Sequence, residues 1–537
     1  MKLQALSLLI LYSALVALPQ VRPAKILAVY AFPGKSHFMM HTALIRELIQ
    51  NGHQVTMIAA FSLASQQLGS NYTELLIEPV YDFWHDVKLN FGVQHLFDLT
   101  RMNNYDFLKM LEIIGLKTTE HALRQPHVQA LIHARQTEGV FDLLLAEQFY
   151  QEAFLALAHK YKIPIVTTST LGYENHMSQM MGLITPWSFV PHGFMPFTDR
   201  MSFMERVRNT YVSLYEDLDR LFNYFPKMDA ITELYFGPVL AEVPKVRHME
   251  TQISVMLLNS HAPLTTARPT VDAMVPVGGM HIYPPKPLPM DMQSFLDAAT
   301  DGAIYFSLGK SGNSLRGSNV QSKEMPAHML QLFLKVFGSM KQRVLWKFED
   351  DSIGQLPPNV MIRKWLPQAD ILAHPNIKVF ITHGGLFGTQ EGVHYAVPML
   401  GIPFYCDQHL NMNKAVLGGY AISLHFQSIT EQLLRHSLLQ LIENASYAEN
   451  VQRVSRIFRD RPLPPRRSAV YWIEYVIRHK GAPHMRSAGL DLRWYQFYLL
   501  DVISFVAAVG LAVLLLLLLA LRLLRGSGKK HSKSKSH

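Results

Sequence analysis

Apolar runs of five to nine residues alternate along most of this chain with stretches of helical spacing. Residues 24–32 are almost wholly apolar and predict a strand. In 42–50, Leu44, Ile45, Leu48 and Ile49 recur at helical spacing, and Asn51-Gly52 ends that helix. Residues 53–60 predict the next strand, which completes a β-α-β unit. The pattern returns as a strand over 141–146, a helix near 152–161 and a strand over 163–168. Helical, aromatic-rich insertions are expected over about 63–125 and 171–221. A Pro- and Gly-rich stretch, 275–291, reads as a linker. Beyond it, strands are predicted over 303–308, 344–348, 360–363, 378–382, 398–402 and 422–426, with helices between most of them. Alternating β and α in both halves predicts an α/β protein with two Rossmann-like, doubly wound domains, each on a parallel sheet. The expected boundaries are 25–274 for the first domain and 292–480 for the second.

The two ends of the chain break the pattern. Lys2 followed by the apolar run 6–18 and then small and Pro residues reads as a signal peptide over 1–24. Residues 502–521 are uniformly apolar and bounded by Asp501 and Arg522, long enough to span a bilayer. The juxtamembrane segment 481–501 brings Trp494, Tyr495 and Tyr498 to the interface. A basic tail, 522–537, follows and is expected to stay cytosolic, which makes the chain a single-pass type I membrane protein.

Charge confirms this division. Of the net +9, six positive charges lie in the tail and two in the leader, which leaves the remainder at +1. A nucleic-acid binder carries its basic patch on the folded domain, so that class is excluded. Cys406 is the only cysteine, so no intramolecular disulfide forms. Asn71-Tyr72-Thr73 and Asn444-Ala445-Ser446 are acceptor sequons for N-glycans. Lys533 and Lys535 stand fifth and third from the last residue, in the arrangement of a dilysine signal for retrieval to the endoplasmic reticulum.

The segment 379–411, VFITHGGLFGTQEGVHYAVPMLGIPFYCDQHLN, carries the densest chemistry. A strand delivers Gly384-Gly385 to the edge of a parallel sheet, where the backbone can approach a ligand closely. The following helix points free N–H groups at an anion, with His383 as a further donor and Gly388 in its first turn. Glu391 is placed to accept hydrogen bonds from a ribose, and Asp407-Gln408 to read sugar hydroxyls. In the first half, Pro33-Gly34-Lys35-Ser36-His37 follows the first strand, where doubly wound folds place ligands.

Residues Phe380 to Gly385, Gly388, Glu391, Pro398, Pro403, Asp407-Gln408 and Asn411 together resemble the donor signature of the membrane-bound animal UDP-glycosyltransferases, the insect-like branch in particular. Phe387 stands where many vertebrate members have Asn. The resemblance spans nearly the whole chain and implies the GT-B fold. It implies that His37 is the general base and Glu147 its carboxylate partner, where vertebrate members usually have Asp. It also implies that Trp365 stacks on uracil, that Gln368 reads a ribose or base edge, and that Ser307 contacts phosphate. The implied reaction is inverting transfer of a hexose, from UDP-glucose in the insect-like branch, to a hydroxyl of a small lipophilic acceptor. No cofactor beyond the UDP-sugar co-substrate and no metal is expected, since no DxD stands in the donor region. The stretch 173–197, rich in Met, Trp and Phe, is expected to line the acceptor pocket. UDP-glucuronate as donor, a non-catalytic lipophile binder on the same scaffold, and homo-oligomerisation stay open at this point.

Overall fold

Strands buried on both faces read as continuous apolar runs, and the two runs of β-α-β pattern form two parallel sheets. The computed structural model describes residues 22–309, 322–350 and 353–531; Lys533, Lys535 and nearly all of the signal peptide lie outside these residues. The first sheet holds β1 (Lys25–Tyr30), β2 (Gln54–Ala59), β3 (Tyr72–Leu76), β4 (Leu143–Glu147), β5 (Ile165–Ser169), β6 (Ile253–Leu258) and β7 (Met274–Pro276). Its order is β3-β2-β1-β4-β5-β6-β7. The second holds β8 (Ala303–Ser307), β9 (Arg343–Lys347), β10 (Val360–Arg363), β11 (Ile377–Thr382), β12 (Met399–Gly401) and β13 (Ala421–Ser423), in the order β10-β9-β8-β11-β12-β13. Strand order reverses between β1 and β4, and again between β8 and β11. In such sheets ligands bind beyond the carboxyl ends of the strands at the reversal.

Both faces of β1 are filled. Leu27 and Val29 join one core cluster, while Ile26, Ala28 and Tyr30 join the other. The second cluster is closed by α1 (Lys35–Gln50), which buries Leu44, Ile45 and Leu48. Helix α1 starts earlier than the periodicity alone indicates, because Gly34 serves as its N-cap. His37 therefore sits in the first helical turn and not in a loop. A long inserted helix, α2 (Asn104–Leu123), crosses the cleft side of the first domain. The second domain carries α3 (Leu386–His394) after β11, α4 (Gln408–Leu417) after β12, and α5 (Ala445–Arg459).

Two boundaries differ from the sequence reading. β7 carries the first sheet to Pro276, into the stretch read as linker. α6 (Pro465–Arg478), expected in the second domain, returns to the first. Ala469, Val470 and Ile473 pack into the cluster of Leu44 and Leu48. Glu474 Oε1 lies 3.2 Å from His53 Nε2, and Arg466 Nε lies 3.3 Å from Glu47 Oε2. The amphipathic stripe of α6 is visible in sequence; which domain covers it is not. The last helix, α7 (Leu500–His531), includes the span Leu500–Arg525, with a mean hydropathy of 3.0 and no burial against the protein. It is the one helix among the described residues long and apolar enough to cross a membrane.

Candidate active site

The reversal at β1 and β4 brings together two side chains that are 110 residues apart. β4 pairs with β1, Val29 opposite Ala146, so the chain leaving β1 toward α1 lies beside the end of β4. His37 Nδ1 is 2.6 Å from Glu147 Oε1, so the longer Glu reaches the imidazole without difficulty. Glu147 accepts from Nδ1–H, which leaves Nε2 as the atom able to take a proton. Asp142, at the start of β4, binds the backbone N–H of Lys25 at the opposite edge of the sheet.

Burial pushes the Glu147 carboxyl up, but the electrostatic pull of its histidine neighbours, His37 first, and hydrogen bonds from His37 and Thr170 outweigh it and hold the group below its ordinary range. His41 stacks on Tyr30 with centroids 3.6 Å apart. Burial lowers its own pKa to about 4, so it stays neutral and does not compete with His37 as a base. His37 is thus the neighbour placed to carry the balancing charge when a proton arrives.

Sequence reasoning missed Thr170. Its Oγ lies 2.9 Å from His37 Nδ1 and 3.0 Å from Glu147 Oε1, and its hydroxyl donates to the carboxylate. It follows β5, the neighbour of β4, so only strand order could have pointed to it. Thr170→Val is expected to lower kcat about tenfold with little change in donor KM. Hydrogen bonds to charged groups contribute about 1.5–3 kcal/mol, and about 1.4 kcal/mol is tenfold in rate. Steady-state kinetics of the purified variant check this.

The opposite wall is built at the second reversal. Thr382 of β11 lies beside Ser307 of β8, so Ser307 and the following His383 meet at one edge. Gly384 adopts φ +80°, a conformation open to glycine, and its N–H donates to Thr382 Oγ1. Gly385 caps α3 with no side-chain hydrogen bond, so the first-turn N–H groups stay open to the cleft. His383 Nδ1 is buried and has no hydrogen-bond partner, and burial, then the charge of Lys347, pushes this imidazole down to about 4. Gln408 Oε1 accepts from the N–H groups of Phe404 and Tyr405, which leaves its Nε2 for the cleft. Asn411 Nδ2 donates to Asp407 Oδ2 at 2.6 Å and to the carbonyl of Gly384 at 3.0 Å, tying α4 to the glycine turn. Burial pushes the Asp407 carboxyl up, and the Cys406 thiol well up, which disfavours its thiolate.

One cavity joins the two walls. His37, Thr170, Ser307, Gln368, His383, Gly385, Gly388, Asp407 and Gln408 all reach it. Glu147 stands behind His37 and does not reach it, and two predicted donor-site residues do not either. Glu391 is 1% exposed and sits behind Gln368, whose amide donates to it, while Tyr305 OH donates to Gln368 Oε1 at 3.2 Å. Trp365 is 60% exposed and lies outside the cavity wall. Phe387 lines the cleft and packs edge-on against His281, with centroids 4.8 Å apart.

The apolar lining also differs from expectation. It comes from Phe107, Met110, Leu111 and Ile114 of α2, together with Phe83 and Trp84. The stretch 173–197 supplies none of it; Met177, Met180, Met195 and Phe197 are buried in the core of the first domain. Met- and Phe-rich composition suits a core and a pocket equally, and only the fold decides between them.

Known proteins share this frame. The chain matches the family profile described as UDP-glucoronosyl and UDP-glucosyl transferase over residues 24–530. UDP-glycosyltransferase UGT5 of Dactylopius coccus is 33% identical over 497 residues, covering 92% of this chain and 90% of that one. UDP-glucuronosyltransferase 2B13 of Oryctolagus cuniculus is 32% identical over 520 residues, covering 93% of each. Among solved structures, the glycosyltransferase VinC in complex with DTDP superposes with a TM-score of 0.57 at 16% identity, covering 85% of this chain and 100% of that one. Medicago truncatula UGT71G1 complexed with UDP-glucose gives 0.56 at 16% identity, covering 85% and 99%. These two likenesses carry the GT-B fold alone. The chain belongs to the UDP-glucuronosyl and UDP-glucosyl transferase family. It is an enzyme that transfers a sugar from a UDP-sugar donor to small acceptors, and α7 fits a membrane anchor.

Proposed function

We propose that this enzyme transfers glucose from UDP-glucose to the hydroxyl of a small lipophilic acceptor, with inversion at the anomeric carbon. The observation that carries the reading is the His37–Glu147 pair on one wall of a cleft whose other wall is the uncapped start of α3. An acceptor ring fits among the side chains of α2, with its hydroxyl at His37 Nε2. The β-phosphate fits the first turn of α3 and His383 Nδ1, and the uridine lies toward Gln368 and the open face of Trp365. His37 removes the proton as the oxygen attacks the face of the sugar opposite UDP, and Glu147 stabilises the imidazolium. The departing diphosphate gathers charge where the N–H groups of α3 are already aimed.

Asp407 favours a neutral hexose, since a carboxyl group in the cleft wall disfavours a second one on the sugar. Among the described residues of the cavity wall none is Lys or Arg. The leader, α7 and the basic tail support a lumenal catalytic part, with Lys533 and Lys535 as a retrieval signal to the endoplasmic reticulum. Asn444 is exposed, and its Oδ1 accepts from Ser446 N, so its Nδ2 is open to a glycan; Asn71 is half-buried at the start of β3.

UDP release from UDP-glucose and from UDP-glucuronate, with a panel of phenols and detergent-solubilised enzyme, tests this. Acceptor-dependent release is expected to favour UDP-glucose. A preference for UDP-glucuronate overturns the donor assignment, and acceptor-independent binding without turnover of either donor returns the chain to a lipophile-binding role.

A further inference from the structure

A second pocket lies behind the donor wall and shares Leu171, Leu386 and Asp407 with the catalytic cleft. It opens between the domains. One side comes from the chain between β6 and β7, which carries Arg268, and the other from α4, which carries Lys414. The Arg268 guanidinium is the unusual group here. Its Nε and Nη1 are buried and have no hydrogen-bond partner, and its stacking partner is the ring of Tyr173, 5.0 Å from the guanidinium carbon. Guanidinium N–H groups so placed are strongly unfavourable unless an acceptor arrives. Lys414 adds a second cation to the same pocket, and burial and then the charge of Arg268 bring its ammonium down to about 7.

Glu174 does not neutralise the pair. Burial, then the charge of Glu216, pushes Glu174 up to about 8, so its carboxyl is largely protonated at neutral pH. Asp407 is also pushed up by burial and is held by Asn411. Thr265 and Ser260 add hydroxyl groups to the lining. A buried guanidinium with unpaired donors and a neighbouring lysine form a receptor for a compact anion with several acceptor oxygens.

We propose that the pocket between Arg268 and Lys414 binds a small oxoanion, a carboxylate or phosphate group, and that this anion bridges the two domains beside the donor site. It relieves the repulsion between a cation of the first domain and one of the second. The anion is a free ion, in keeping with a neutral hexose donor; a carboxylate carried by the sugar of the donor is the other source of the same chemistry. The site stands if the glucose assignment fails.

The test uses the full-length, detergent-solubilised enzyme at constant ionic strength with saturating UDP, so that the phosphate subsite at α3 is filled. The binding isotherm for UDP itself reports separately on the nucleotide site. Inorganic phosphate binding, followed by equilibrium dialysis and thermal shift, is expected to be saturable at one site. Arg268→Met and Lys414→Met are each expected to weaken it at least about tenfold while UDP still binds, and Arg268→Lys to retain part of it. Replacing UDP by UDP-glucose and by UDP-glucuronate identifies the source. Phosphate binding kept with both supports a free ion. Binding kept with UDP-glucose and lost with UDP-glucuronate supports the site with the sugar carboxylate as occupant. Binding lost with both sugars overturns the proposal, because the hexose itself then fills the pocket. Absence of phosphate binding with UDP bound, or equal binding in wild type and both Met variants, also overturns it.

Discussion

His37→Ala is expected to lower acceptor-dependent kcat by about 10²–10⁴-fold, the range for loss of a positioned general base. The affinity for UDP-sugar should change little, because His37 stands on the wall opposite the nucleotide. The hydroxyl of an alcohol or phenol is a poor nucleophile until its proton has somewhere to go. Among the buried histidines at this wall, His41 is turned into the core and stacked on Tyr30, so it does not substitute. Glu147→Gln should reproduce much of the loss, since the amide keeps the shape but not the charge that stabilises imidazolium. Glu147→Asp should fall between, because one methylene less breaks the 2.6 Å contact unless the backbone yields. Retention of rate within tenfold in His37→Ala would place the base elsewhere. Steady-state kinetics with each substrate varied in turn separate these outcomes.

Gly385→Ala is expected to weaken UDP binding by about 10–100-fold while leaving thermal stability nearly unchanged. The backbone at Gly385 has φ −61° and ψ 147°, which alanine adopts freely, so no conformational strain is added. An added Cβ meets His383 Nε2 at 2.5 Å and displaces a ring that has nowhere to retreat without leaving the anion position. The loss combines an anion at a helix N-terminus, up to about 2 kcal/mol in a partly buried site, with charged hydrogen bonds of about 1.5–3 kcal/mol each. Gly384→Ala is the control with a different signature. There φ is +80° and the Cβ meets Met412 Cγ at 2.5 Å, so melting temperature should fall together with affinity. Calorimetry of UDP binding beside thermal unfolding tells the two apart. Unaltered UDP affinity in Gly385→Ala would move the diphosphate away from α3.

How far the residues alone disclosed this site depends on how local each feature is. The donor wall lies mostly within one window, 379–411, because a strand, a turn and a helix must follow one another to present a phosphate site. The acceptor wall is assembled from five separate segments, and only the strand order β1-β4-β5 explains why His37, Glu147 and Thr170 meet. β1, β2 and β8 were legible because both of their faces are buried. β3 escaped notice as an edge strand whose Tyr72 and Glu74 bond to each other, and β7 as three residues inside a proline-rich stretch. β6 is a plain apolar run, but no helix links it to β7, so the alternation that marks the other strands is missing. Glu391 shows a further limit: its place in the signature was clear, whereas its burial behind Gln368 depends on Tyr305 in a distant strand. The return of α6 to the first domain has no local signal at all.

The central claim is a single displacement by a hydroxyl that His37 deprotonates, with UDP leaving from the opposite face. The anomeric configuration of the product tests it most directly. Proton NMR of the glycoside formed from UDP-α-glucose and a phenol, recorded as it accumulates, is expected to show the β-anomer through its large axial–axial coupling. An α-glycoside as the first-formed product would contradict the claim, because retention requires a second displacement and a nucleophile on the enzyme that His37 and Glu147 do not supply.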